Sequence, residues 1–258
     1  MTEARRFQRP ERRFLVSEGA DVVSWWQGQA TNDVAVPPGQ SVAFCLVSPT
    51  GQLEAVVDGR RTESGFLFVT ERPEALLARV RDFVILEDVS LRLIEGGVVT
   101  VTGEPCASEW AIPVPGGCDI PGEDGEPEDD LLADRLARGI PDPLRDATDR
   151  TLPPELGVWF DRRYVHYAKG CYTGQEVLQR IYSRGHVNRV WASYQAGEVV
   201  AVATPVHDEA GERVGAVTQC RLHPQLGPVV GAYVKRGANV DRLSCGDVPL
   251  WPMPANPS

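Results

Sequence analysis

The segment Lys169-Gly-Cys-Tyr-Thr-Gly-Gln-Glu176 carries the most specific pattern in this chain of 258 residues. Thr173 is followed three residues later by Glu176, which is the spacing of a capping box. The spacing predicts a helix that begins near Gly174 and runs to about Ser183. A glycine two residues beyond that point is placed to end the helix, because glycine readily adopts the conformation that follows a helix.

Cys171 lies two residues before the predicted helix cap, where the positive end of the helix dipole favours a thiolate. The ammonium of Lys169 is close in sequence, so we predict that the pKa of the thiol is lowered, and that these two residues are catalytic. The alternative is a small buried cysteine that only fills space. The other cysteines show no Cys-x-x-Cys spacing, so no metal site is predicted. They are Cys45, Cys106, Cys118, Cys220 and Cys245.

Positive charge and aromatic residues concentrate around this segment. Residues 161–190 carry a local charge of +4, whereas the whole chain carries −10. Eight of the 19 aromatic residues lie between Trp159 and Tyr194. Rings interleaved with cations fit a flat heterocycle with an anionic tail, and they fit unpaired nucleic-acid bases as well. The other interpretation is that these rings fill a core.

The global composition excludes several classes of protein. A net charge of −10 disfavours direct binding to nucleic acid. No apolar run approaches the roughly 18 residues that a membrane helix needs. Six cysteines are too few for a disulfide scaffold, so we expect reduced thiols and a cytoplasmic protein.

A second polar cluster follows the first predicted helix, in Trp26-Gln27-Gly28-Gln29-Ala30-Thr31-Asn32-Asp33. Its amides, hydroxyl and carboxylate offer paired donors and acceptors, which suit the edge of an aminopyrimidinone ring. Gln27 and Asn32 are the ligand-binding residues predicted here. The structural alternative is that Gly28 ends the helix and that Thr-Asn-Asp is ordinary turn chemistry.

The first hundred residues predict an α+β fold with a largely antiparallel sheet. Ser41–Val47 and Leu53–Val57 are apolar runs joined by a Pro-then-Gly turn, which is typical of a hairpin. Val89–Ile94 and Val98–Thr102 predict a second hairpin. Residues 104–128 are rich in glycine, proline and acid, so we expect an acidic linker there.

The last 70 or so residues show an all-β pattern of short apolar strands divided by turns, which predicts a small C-terminal β-barrel. We therefore divide the chain into residues 1–186, which contain two sub-domains around the acidic linker, and residues 187–258, which form the barrel.

Together these motifs resemble the YgfZ-type folate-binding proteins, which are relatives of the glycine-cleavage aminomethyltransferase (T-protein). The resemblance spans about residues 10 to 235. It rests on Lys169–Glu176 with Arg180 and Arg184-Gly185, on Gln27-Gly28-Gln29 with Thr31–Asp33, on the turn Ser48–Gly51, and on Pro154–Gly157.

The resemblance implies intertwined antiparallel-sheet sub-domains of α+β type around a central channel, followed by the barrel. It implies tetrahydrofolate as a ligand and a role in the assembly or repair of iron–sulfur enzymes. One such client methylthiolates tRNA, so tRNA modification depends on this role. Reduced folate and iron–sulfur client enzymes are thus the expected partners, and Cys171 is the functional thiol.

The same hypothesis assigns the folate-binding residues within 1–186. Tyr172 lines the pterin site, Arg180 and Arg184 meet the glutamate tail, and Arg189, just beyond this region, is a further candidate for the tail. The complete predicted set is Gln27, Asn32, Tyr172, Glu176, Arg180 and Arg184.

Two departures from the family pattern leave other functions open. The aminomethyltransferases carry two aspartates shortly after the turn, whereas this chain has Glu54-Ala55, so only Glu54 can handle a proton there. Arg12 and Leu131 stand where the best-known member of the family has tryptophans in its folate region. A folate-dependent aminomethyl or C1 transferase is the alternative function, although the chain departs from a classical aminomethyltransferase. An RNA- or protein-binding adaptor is the third.

Overall fold

The computed structural model describes residues 4–105 and 107–253. Its strands are β1 Arg5–Gln8, β2 Arg13–Glu18, β3 Ser41–Val47, β4 Leu53–Arg61, β5 Gly65–Thr70, β6 Ser90–Leu93, β7 Val98–Thr102, β8 Ile112–Val114, β9 Gly117–Pro121, β10 Arg189–Ala196, β11 Pro205–His207, β12 Arg213–His223, β13 Gly227–Lys235, β14 Leu243–Cys245 and β15 Val248–Pro252. Its helices are α1 Val22–Gln29, α2 Pro73–Phe83, α3 Asp129–Ala137, α4 Pro143–Asp146, α5 Val158–Tyr164 and α6 Gln175–Arg184, with a 3₁₀ turn at Pro153–Leu156.

The chain forms two compact units, and each unit is built from two separate chain segments. The first unit contains the segment that ends at Pro127 together with Arg162–Ser183. The second contains Glu128–Asp161 and the segment that begins at Arg184. The barrel strands thus share a unit with residues 128–161, which the sequence division at 186/187 did not anticipate.

The first unit is organised by a five-stranded antiparallel sheet in the order β3-β4-β5-β2-β6. Side chains alternate between its two faces, as strand geometry requires. On β5, Phe66 and Phe68 pack with α1 and α2, whereas Leu67 and Val69 pack with strands of a second sheet. Both faces of β5 are therefore buried, whereas the edge strand β6 is largely exposed. The hairpin predicted for β3 and β4 is confirmed.

The second sheet of this unit has the order β1-β7-β9-β8, and it corrects two expectations. β6 pairs with β2, whereas β7 pairs with β1 and β9, so the predicted hairpin of Val89–Ile94 with Val98–Thr102 is wrong. The acidic linker predicted for residues 104–128 is also wrong, because β8 and β9 form inside it. Asp119 on β9 is fully buried, since its charge is compensated by an arginine from far away in the sequence.

The second unit contains a closed antiparallel barrel in the order β10-β13-β12-β11-β14-β15. Its interior is filled by aliphatic side chains from all six strands, together with Tyr194. The α+β class, the antiparallel sheets and the C-terminal barrel are therefore confirmed. The predicted central channel stays a prediction.

Among the described residues, no helix is both long enough and apolar enough to cross a membrane.

Cys118 is disulfide-bonded, so the expectation that every thiol is reduced is wrong at this position. Cys106 lies outside the described residues. Cys171, Cys220 and Cys245 carry free thiols.

A buried carboxylate ties α4 to the barrel within the second unit. Asp146 is 1% exposed. It accepts hydrogen bonds from Gln219 Nε2 at 2.5 Å, from the backbone nitrogen of Asp142 at 2.7 Å and from the Thr218 hydroxyl. Burial raises the pKa of Asp146 to about 6, although these hydrogen bonds oppose the rise.

This raised pKa predicts a pH dependence of stability that the variant Asp146→Asn lacks. The folded carboxyl keeps its proton to higher pH than the unfolded one, so its contribution to the free energy of unfolding falls as pH rises from about 4 to about 6. Across that window, wild type should lose about 3 kcal/mol relative to Asp146→Asn. The amide of the variant can donate to Thr218, whose hydroxyl also lies 3.0 Å from the Gly231 carbonyl.

Urea unfolding of both proteins at pH 4, 5, 6 and 7 measures this difference. A stability difference that does not change between pH 4 and pH 7 contradicts the prediction.

Candidate functional site

The end of α1 is capped by a lysine that lies some 140 residues away in the sequence. α1 has no basic residue in its own last turn. Lys169 Nζ donates to the carbonyls of Gln27 and Ala30, both at 2.6 Å, and of Asn32 at 3.1 Å. A cation is the favourable partner for carbonyls at a helix C-terminus. Lys169 therefore fastens its own segment onto the loop that follows α1.

The ammonium of Lys169 is largely withdrawn from water. Its side chain is only 7% exposed, and its Nζ lies 5.2 Å from the centre of the Tyr172 ring. Burial lowers the pKa of Lys169 to about 8, while the nearby Asp33 carboxylate opposes that shift. Its three protons have three carbonyl acceptors, so the lysine that we predicted as catalytic is engaged with the backbone. Its effect on the thiol stays a prediction.

A second anchor lies four residues further along the chain. The backbone nitrogen of Thr173 donates to the Gly28 carbonyl at 3.3 Å, which caps another carbonyl of the last turn of α1. Cys171 lies midway between the anchors at Lys169 and Thr173, and it is exposed. The short segment between the anchors thus presents its thiol to solvent, and the alternative of a buried, space-filling cysteine is excluded.

The helix after this segment forms, but without the predicted capping box. α6 begins at Gln175 because Gly174, with φ of +80°, occupies the cap position. Thr173 is therefore one residue too early to cap the helix, and its hydroxyl lies 3.4 Å from Gln29 Oε1 instead. Glu176 pairs with Arg180 at 2.9 Å rather than folding back onto the backbone.

The polar cluster after α1 satisfies its own hydrogen bonds. The Gln27 amide donates to Asp33 and accepts from the backbone nitrogen of Val34. The Asn32 amide donates to the carbonyls of Ala43 and Arg163. The Gln27 bonds close the loop on itself, and the Asn32 bonds hold it against β3 and against the segment before Lys169. Both side chains thus act in turn structure, as the structural alternative proposed, but its expectation that Gly28 ends the helix is wrong, because α1 continues to Gln29 and its cap is Ala30. Their predicted contacts with folate are not tested.

The aromatic concentration separates into buried and exposed rings. Five of the eight are buried in the two units: Phe160, Tyr164, Tyr172, Trp191 and Tyr194. Tyr167 and Tyr182 stack with ring centres 4.1 Å apart, and Tyr182 is 61% exposed. Most of these rings thus fill cores, as the second interpretation proposed, while Tyr182 presents one aromatic face to solvent.

The arginines that we predicted to meet an anionic tail are dispersed. Arg180 is exposed and is partly neutralised by Glu176 one helical turn earlier. Arg184 is exposed at the end of α6 and groups with the second unit. Arg189, also in the second unit, makes a two-point ion pair with Glu155. Within either unit, these cations do not form one positive surface.

Sequence reasoning missed a buried arginine beside the Cys171 segment. Arg79 on α2 is 4% exposed. It donates to Gln29 Oε1 at 3.1 Å, to the Val47 carbonyl at 2.8 Å and to Glu54 Oε2 at 2.5 Å. Arg79 follows Leu76 by three residues, which places it on the apolar face of the helix. That spacing is the sequence signal that could have identified it as buried.

A second missed feature is a buried charge cluster centred on Arg12, which is 2% exposed. Burial opposes its charge, but three carboxylates outweigh that effect and raise its pKa. These partners are Asp58, Glu71 and Asp119. Asp58 also accepts from Arg163 Nη2 at 2.8 Å, so the cluster ties the chain just before Lys169 to the five-stranded sheet.

One comparison with known proteins identifies the fold of the chain. No model of a known protein family matches the chain. It is 23% identical over 219 residues to an uncharacterized protein of Haemophilus influenzae, which covers 76% of this chain and 73% of that protein. It is also similar to the crystal structure of glycine cleavage system aminomethyltransferase T from Bartonella henselae. That similarity has a TM-score of 0.80 and 15% identity, over 98% of this chain and 86% of the other. The chain therefore has the fold of that aminomethyltransferase, as the resemblance implied.

The anchoring by Lys169 can be tested against a matched control, because the chain has two lysines in all. Lys169→Met leaves three carbonyls without their donor and should lower the free energy of unfolding by about 3 kcal/mol. Lys235→Met removes one hydrogen bond at an exposed site and should cost no more than about 0.5 kcal/mol. Urea unfolding followed by circular dichroism measures both. Equal losses in the two variants would show that Lys169 is an ordinary surface residue.

Proposed function

We propose that this protein binds a reduced folate, tetrahydrofolate, and supports the assembly or repair of iron–sulfur enzymes through Cys171. The observation that carries the proposal is an exposed thiol on a segment anchored at both ends, within a fold shared with an aminomethyltransferase. The YgfZ-type resemblance of Lys169–Glu176 supplies the iron–sulfur part. Through such clients the protein contributes to tRNA modification without binding RNA itself.

The thiol is suited to this role because it is accessible while its backbone is held in place. An exposed thiol near the start of a helix is the environment in which cysteine becomes a nucleophile or a soft ligand. The residues that follow it contact uncharged polar groups: the Thr173 hydroxyl lies 3.4 Å from Gln29 Oε1, and Gly174 packs against the Ser48 carbonyl. We assign the pterin to this side of the first unit, with Tyr172 and α6 close by.

The alternative of a C1 transferase is less well supported. Such a transferase needs a carboxylate available to the reacting nitrogen of folate. Glu54 has the matching position in sequence, but its carboxylate is ion-paired with the buried Arg79. An adaptor for RNA is also less well supported, because the arginines near Cys171 are dispersed or paired and the chain is acidic.

The cytoplasmic location predicted from the sequence remains part of the proposal. Iron–sulfur client enzymes are the expected partners. The disulfide at Cys118 is unusual for that compartment, where thiols are kept reduced.

Isothermal titration with tetrahydrofolate tests the ligand. We expect saturable heat with tetrahydrofolate and none with free glutamate, which carries the tail without the pterin. A dissociation constant of about 1 mM corresponds to a very weak complex. If tetrahydrofolate up to that concentration gives no heat of binding, folate is removed from the proposal.

Complementation of a deletion strain tests the thiol separately. Cys171→Ala should bind tetrahydrofolate like wild type but fail to restore iron–sulfur enzyme activity. Cys220→Ala, which removes a free thiol of the second unit, is the matched control and should restore activity. Full restoration by Cys171→Ala excludes the thiol from the function.

A further inference from the structure

Arg79 gathers three parts of the first unit around one buried guanidinium. Its acceptors are the Gln29 side chain at the end of α1, the Val47 carbonyl at the end of β3, and the Glu54 carboxylate on β4. A buried charge is costly unless it is paired and hydrogen-bonded, and here the carboxylate and the two neutral oxygens meet that requirement.

Two of these acceptors, Gln29 and the end of β3, also contact the segment that carries Cys171. Gln29 Oε1 lies 3.1 Å from Arg79 and 3.4 Å from the Thr173 hydroxyl, so it is shared between them. Gly174 packs against the end of β3, where an added Cβ would lie 2.8 Å from Val47 Cγ2 and 2.4 Å from the Ser48 carbonyl. Arg79 thus holds both the amide and the strand end that receive residues 173 and 174.

We infer that Arg79 is a positioning residue that fixes the Thr173–Gly174 end of the segment presenting Cys171. Lys169 fixes the other end, so the thiol is held between two buried cations that act through the backbone and Gln29. The inference rests on the proposed function only for its consequence in folate binding. The placement of the thiol stands on the contacts alone.

The geometry of the guanidinium explains why arginine occupies this position. One planar fork reaches three acceptors on three elements, and a lysine ammonium is a compact charge on a flexible stem that cannot reproduce that fork. The Glu54 carboxylate serves as the counter-ion that keeps the buried charge of Arg79 paired. Arg79→Lys should therefore retain the charge but only part of the positioning.

A nitroxide attached to Cys171 tests the placement of the segment without any ligand. The background carries Cys220→Ser, because Cys220 is the other partly exposed free thiol among the described residues. In this background the nitroxide spectrum should gain a mobile component in Arg79→Met and a smaller one in Arg79→Lys. Arg81→Met is the matched control, since Arg81 is exposed on the same helix and pairs with Asp82, and its spectrum should equal that of the background protein.

Titration of the unlabelled variants with tetrahydrofolate gives a second measure. Arg79→Met should bind about tenfold more weakly, as expected when a charged hydrogen bond is lost, and Arg81→Met should bind like wild type. A nitroxide spectrum unchanged in both Arg79 variants, with only a lower unfolding temperature, overturns the inference. If Arg79→Met does not fold, the spectrum of Arg79→Lys decides alone. If wild type binds no tetrahydrofolate, the proposed function fails, while the spectra still decide the role of Arg79.

Discussion

The candidate site depends on one ammonium group that is held by three backbone carbonyls. A helix ends with carbonyls that lack partners within the helix, and α1 ends in a loop where several of them converge. Lys169 brings the positive charge that this convergence favours, and it brings its own chain segment with it. The exposed position of Cys171 follows from that attachment. The lysine of the motif thus has a structural reason to be there, whatever chemistry the thiol performs.

The polar residues of the two motifs act first on each other. Gln27 bonds within its own loop, and Asn32 donates to carbonyls of β3 and α5. The Thr31 hydroxyl accepts from the backbone nitrogen of Cys45 on β3 and donates to the Tyr164 carbonyl at the end of α5. The amides and hydroxyls of this cluster therefore hold in place the loop after α1, which supports the segment that carries Cys171. The surface beside this support carries the Cys171 thiol, the exposed Tyr182 and the Glu176–Arg180 ion pair of α6, and uncharged polar groups of the β3–β4 turn.

Local signals predicted the positions of several elements, but they did not predict that β6 pairs with β2 rather than with β7. The helix expected from Gly174 to Ser183 is α6, Gln175–Arg184, shifted by one residue because a glycine with positive φ takes the cap position. The β3–β4 hairpin and the barrel strands were also predictable, because the alternation of apolar residues and the turn residues that indicate them lie within a few positions of each other.

Long-range compensation of charge could not be predicted from the sequence. Residues 104–128 looked like a linker because acid and glycine are unfavourable in strands. The buried Asp119 is tolerated on β9 because Arg12, 107 residues earlier, neutralises it. Arg79 was missed for a similar reason, since its three acceptors come from α1, β3 and β4, and no spacing in the sequence announces them.

The most direct test of this account is a ¹⁵N spectrum of the lysine side-chain ammonium groups, because the chain supplies two such groups. The account requires one ammonium whose protons exchange slowly with water and show couplings across hydrogen bonds to carbonyl carbons, with that resonance lost in Lys169→Met. Two rapidly exchanging ammonium groups, both behaving as solvent-exposed lysines, would show that Lys169 does not hold the Cys171 segment.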